Sequence, residues 1–155
     1  MKGPIAAERQ APGVRADYVR FLPIGTRWSD NDAYGHVNNV VYYAWFDTVV
    51  NRVLISEGGL DIAEGDSIGL CVESGCRYHA PVAYPEDVMV GLRVGKLGRS
   101  SVRYELGVFV EGREPAAAEG HFVHVFVSRA SRRPVPLPPR IAAALAPLVR
   151  GVRSP

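Results

Sequence analysis

Two periodicities divide the chain. From Val40 to Glu57 apolar residues recur every four positions: Val41, Trp45, Val49 and Val53, with Tyr42, Phe46, Val50 and Leu54 one position on. A broad apolar face at helical spacing predicts one long, largely buried helix. Asn38 and Asn39 stand where an N-cap belongs, and Gly58–Gly59 where a helix stops. Beyond it the period switches to two. Ser67–His79, Asp87–Leu97, Ser101–Glu111 and Ala116–Ser128 read as strands. In the last of these Phe122, His124 and Phe126 oppose Val123, Val125 and Val127. Short turns join the last three strands as an antiparallel meander. Tyr18 to Trp28 reads as a first strand, interrupted by Pro23 and Gly25 as a bulge would interrupt it.

A helix that is apolar on its inward side needs a sheet to cover it. The predicted class is α+β: a curved antiparallel five-stranded sheet around one long central helix. Residues 1–15 read as a loose leader and 16–128 as the domain. Residues 129–155 read as a basic, Pro-rich tail that frays outside a short helix at about 140–148, begun just after Pro139.

Composition narrows the function classes. The 155 residues suit a single core. The 18 basic and 16 acidic residues leave a net charge of +2, too balanced for a nucleic-acid footprint. The longest apolar run, Val40–Phe46, is far short of the ~20 residues that span a bilayer, so no membrane association is expected. Met1–Asp17 has no apolar signal-peptide core, and the expected location is cytoplasmic. Cys71 and Cys76 lie five apart in an extended segment, roughly 16 Å at ~3.3 Å per residue, too far for a disulfide. Two cysteines are also too few for structural zinc, and His121 and His124 face opposite sides of a strand. No metal and no cofactor are expected.

The densest reactive cluster is the loop Asp30–Asn39, between the first strand and the helix. A helix start presents unpaired N–H groups and the positive end of the dipole, suited to polarising a carbonyl. A nearby carboxylate, Asp32, can act as a base on water or attack directly. That chemistry is acyl transfer to water. Asp30 and Asp32 also have an ordinary reading as turn and capping residues, Gly35 as a turn glycine, and Asn38 and Asn39 as caps.

The string Arg27-Trp28-Ser29-Asp30-Asn31-Asp32-Ala33-Tyr34-Gly35-His36-Val37-Asn38-Asn39-Val40-Val41-Tyr42-Tyr43, followed by Trp45-Phe46-Asp47, resembles the signature of hot-dog-fold thioesterases. The branch is that of the 4-hydroxybenzoyl-CoA thioesterase-like acyl-CoA thioesterases. The resemblance continues in Gly98–Glu105 and spans roughly Val19 to Val127. It implies an acyl-CoA substrate, Asp32 as the catalytic carboxylate, and the thioester carbonyl at the backbone N–H of Asn39. It further implies that Gly35, His36 and Asn38 position the loop or substrate, and that subunits self-associate as a homodimer or homotetramer with sites at the interface.

Two other readings compete with thioester hydrolysis. A hydratase or dehydratase of acyl thioesters would want a His–acid pair, for which His36 with Asp47 is the nearest candidate. A non-catalytic acyl-CoA-binding module would bind without turnover. Arg52, Arg77, Lys96, Arg99 and Arg103 are candidates for CoA phosphates, each also readable as a solvated strand or helix charge.

Overall fold

The apolar stripe becomes helix α1, Val41–Ser56, which buries Tyr42, Trp45, Phe46, Val49, Val50, Val53 and Leu54. The computed structural model describes residues 10–151. Residues 1–9 of the leader and 152–155 of the tail lie outside that range. The strands are β1 (Arg20–Gly25), β2 (Ser67–Tyr78), β3 (Asp87–Leu97), β4 (Ser101–Val110) and β5 (Ala118–Ser128). They form one antiparallel sheet in the order β1-β3-β4-β5-β2, with the expected meander at its centre. No helix among the described residues is long and apolar enough to cross a membrane.

Helix α1 packs on one face of this sheet. Phe46 meets Phe122 of β5 edge to face at 6.2 Å and rests against Gly120, where any Cβ would collide with the ring. The inward residues of β3, β4 and β5 join the helix stripe in one core, which includes Val90, Leu92, Tyr104, Leu106 and Phe126. Burial of this contiguous apolar surface is the main stabilising term, at roughly 25 cal/mol per Å².

Three expectations are corrected. The first strand is shorter than Tyr18–Trp28. It ends at Gly25, and Trp28–Asp30 forms a 3-10 turn instead. Pro23 pairs with Met89 with no bulge, since β1 is an edge strand and an edge tolerates the missing N–H. The leader is docked where it is described: Gly13 C=O accepts the Ala116 N–H at 2.9 Å, and Val14 bridges Pro115. As far as residue 151 the tail is docked rather than frayed. Val135 N–H donates to Phe126 C=O and Leu137 N–H to Arg99 C=O. Helix α2 (Pro139–Leu145) and the turn Ala146–Leu148 then insert Ile141, Leu145 and Leu148 into the core. The prolines keep the connection extended, which delivers those apolar groups to the sheet.

Leu145 is fully buried. Leu145→Ala should therefore cost about 2–5 kcal/mol, read as a lower urea midpoint with the slope unchanged. An unshifted midpoint would show that the tail lies outside the cooperative core.

Candidate active site

The loop before α1 folds as a small hairpin. Asn31 bridges Val37, Asp32 N–H donates to His36 C=O at 2.9 Å, and Gly35 N–H donates to Asp32 C=O at 3.1 Å. Gly35 has φ +81° and open space where a Cβ would stand, so its backbone conformation is what the turn needs. A tight turn closed by a left-handed residue is a common hairpin solution. Asp32 stands at its first position, where its Oδ1 accepts the Tyr34 N–H at 2.8 Å. Asx residues favour such turns for this reason. The other oxygen, Oδ2, has no hydrogen-bond partner among the described residues.

The two aspartates have different environments. Asp30 is 1% exposed. Its Oδ2 accepts the Arg27 N–H at 2.7 Å, and its Oδ1 accepts the Arg27 guanidinium at 2.8 and 3.0 Å. Its carbonyl accepts the Asn38 N–H at 2.9 Å. A buried carboxylate survives when it is paired in this way. Asp30 therefore ties the 3-10 turn to the entry of α1, and Asp32 is left half-buried with a free oxygen.

At the helix start the N-cap position is Val40, which has no side-chain cap, so neither Asn38 nor Asn39 is the N-cap itself. Asn38 serves one residue earlier: its C=O accepts the Val41 N–H at 2.9 Å and its Oδ1 the Val40 N–H at 3.3 Å. The reason is local: Val40 already has helical φ and ψ, so the turn begins at Asn38. The N–H of Asn39 makes no hydrogen bond among the described residues. Its carbonyl accepts the Tyr78 hydroxyl at 2.7 Å. Val37 N–H donates to Val82 C=O at 2.7 Å, and Tyr84 N–H to Asn31 Oδ1 at 3.0 Å. The loop is thus stitched to the segment that follows β2.

His36 is exposed, and no hydrogen bond or ion pair joins it to Asp47 among the described residues. Asp47 instead takes the Asn51 side-chain amide on Oδ1 at 3.0 Å. Burial pushes the Cys76 thiol up to about 11, away from the reactive thiolate form. Both cysteines are free, and His121 and His124 point to opposite faces of the sheet. Of the cationic candidates, Arg103 pairs with Glu105 and Glu73, and Arg77 binds Gln10. Arg52, Lys96 and Arg99 are exposed. The sequence reading did not single out Arg27 or Tyr78. Both act on the loop through the fold, and neither sits at a spacing that marks it. Arg27, three residues before a buried Asp, left the only local trace.

Comparison with known proteins fits this geometry. Residues 26–145 match the family model of the thioesterase-like superfamily. The PA5185 protein of Pseudomonas aeruginosa strain PAO1 is 56% identical and its structure superposes with a TM-score of 0.89, covering 93% of this chain and all of that one. PA2801 of Pseudomonas aeruginosa is 32% identical, with a TM-score of 0.77 over 83% of this chain and 99% of that one. Slr0204 of Synechocystis, a 1,4-dihydroxy-2-naphthoyl-CoA thioesterase, shares the fold at 18% identity, with a TM-score of 0.74 over 81% and 93% of the two chains. No curated protein matches the sequence. With a hairpin loop feeding a helix on an antiparallel sheet, and a family match over most of its length, this chain belongs to the thioesterase-like superfamily of the hot-dog fold.

Proposed function

We propose that the protein hydrolyses an acyl-CoA thioester to the free acid and CoA, with the sheet curved around α1 as its central helix. Asp32 activates water or attacks the carbonyl carbon itself, and the Asn39 N–H at the start of α1 holds the developing oxyanion. In either route a C–O bond forms, the C–S bond breaks, and CoA leaves as the thiolate. One observation carries this reading. A half-buried carboxylate with a free oxygen and the unpaired N–H of Asn39 belong to one short loop, which hydrogen bonds tie down on both sides. Preorganised donors of this type supply much of the stabilisation in acyl transfer. Gly35 shapes the turn, Asn38 holds the first turn of the helix, and His36 borders the loop where substrate would pass. No cofactor enters the scheme, and cytoplasmic acyl-CoA is the substrate pool it fits.

Self-association follows from the same reading. β2 is a long edge strand with Leu70 and Val72 exposed at 37% and 60%. An unprotected edge of this length is a template for pairing with a second chain. We assign it to the homodimer contact, which would bring a second subunit beside each α1.

Asp32→Asn should lower thiol release from an acyl-CoA panel by about 10²–10⁴-fold, with unfolding free energy within about 0.5 kcal/mol of wild type. Full activity in that variant would overturn the assignment. Asp30→Ala should behave in the opposite sense. It leaves the part-buried Arg27 backbone N–H without its acceptor and should lower the urea midpoint. Equal stability in both variants would contradict the division of labour. For the edge, light scattering should give a dimer for wild type and a monomer for Val72→Lys. A monomeric wild type that still turns over substrate would rule out a site built at this interface.

A further inference from the structure

Asn39 carries the unpaired N–H at the start of α1, yet neither of its backbone groups belongs to the helix ladder. The turn closed by the Val41 N–H on the Asn38 C=O at 2.9 Å puts Asn39 at its first central position. That bond, and the Asn38 N–H on the Asp30 C=O, fix the residues on either side of Asn39. Neither of them holds the peptide plane between Asn39 and Val40. No backbone N–H donates to the Asn39 C=O among the described residues. Its donor is the Tyr78 hydroxyl, at 2.7 Å, from 39 positions further along the chain.

Tyr78 is itself held on two sides. It is the last residue of β2, and the ladder with β5 pairs it with Ala118. The next residue extends that anchor, the His79 N–H donating to the Ala117 C=O at 2.8 Å. The Tyr78 ring stands at 90° to the ring of Tyr42, with centres 5.0 Å apart. Tyr42 lies in the first turn of α1 and is 2% exposed. An edge-to-face pair of this kind sets the direction of a ring as well as its contact. Burial raises the Tyr78 phenol above its ordinary range, so the hydroxyl keeps its proton and stays a donor. The sheet, the first helical turn and the residue that leads into it thus meet through one side chain.

A donor aimed in advance needs no reorganisation when charge develops on a carbonyl oxygen. Misplacement by about 1 Å can cost on the order of 10²-fold in rate. We propose that Tyr78 is a positioning residue for the hydrolysis: its hydroxyl locks the backbone of residue 39, so that the Asn39 N–H is already aimed at the developing oxyanion. The proposal takes the role of that N–H from the hydrolase reading, and the lock from the Tyr78–Asn39 bond.

The test is Tyr78→Phe, which deletes the hydroxyl and keeps the ring against Tyr42. Asn39 is exposed, so water can bind its freed carbonyl and the urea midpoint should stay at the wild-type value. On the best substrate of the acyl-CoA panel, kcat should fall about 10-fold or more while KM stays within about twofold. A general loosening of the fold would move the midpoint and KM as well. The second measurement needs no turnover. By NMR relaxation of the isotope-labelled protein without substrate, the amide order parameter of Asn39 should drop from about 0.85 toward about 0.6 in the variant. That of Val50, in the middle of α1, should not change. A lower order parameter at Asn39 together with the loss of kcat supports the proposal. A lower order parameter in a protein that cleaves no member of the panel supports the lock, and the hydrolase reading alone fails. An unchanged order parameter at Asn39, or full kcat in an active enzyme whose Asn39 has loosened, would overturn the proposal.

Discussion

A carboxylate withdrawn from water must find partners, and at Asp30 that requirement organises the loop. Its oxygens are taken by the Arg27 backbone and guanidinium, and its own carbonyl is taken by Asn38. Those bonds close the loop at its base. Asp32 then falls at the start of the turn, and Gly35 completes it in the left-handed region. The two aspartates thus differ: both oxygens of Asp30 are bonded, while Asp32 keeps one oxygen without a hydrogen-bond partner among the described residues.

The rest of the fold serves to hold α1 against the sheet so that this loop has a fixed base. Gly120 admits Phe46 to the sheet surface, and the buried tail residues Ile141, Leu145 and Leu148 close the core behind it. Tyr78 at the end of β2 reaches the Asn39 carbonyl and links the exposed edge strand to the helix start. An edge that pairs with another chain would therefore bear directly on the geometry of the site. Tyr42 and Tyr78 pack edge to face at 5.0 Å beneath that point, and burial holds the Tyr42 phenol up at about 12, so it stays neutral.

Much of this was legible in the residue pattern. The four-residue recurrence in α1 and the alternation in β3, β4 and β5 gave the elements to within a residue or two, because burial on one face imposes those periods directly. The loop was legible as a motif, and Gly35 as a turn residue. Tyr78 and the buried tail act through contacts between distant segments, about which local pattern carries no information, whereas Arg27 pairs with Asp30 only three residues on and gains its weight from the burial of that aspartate. The Asn38–Asn39 pair predicts an N-cap there, whereas Val40 takes that position with helical angles and no capping side chain, its N–H donating to Asn38 Oδ1. The first strand was overextended because aromatic residues such as Trp28 favour strands, while the Asp30–Arg27 lock turns the chain there instead.

The central claim is that the thioester carbonyl sits between Asp32 and the Asn39 N–H. It is tested most directly by a crystal structure of Asp32→Asn with an uncleaved acyl-CoA. The account predicts the carbonyl oxygen about 3 Å from the Asn39 nitrogen, with the side chain at position 32 against the carbonyl carbon. A thioester bound away from the start of α1, with that N–H still unpaired, would contradict it.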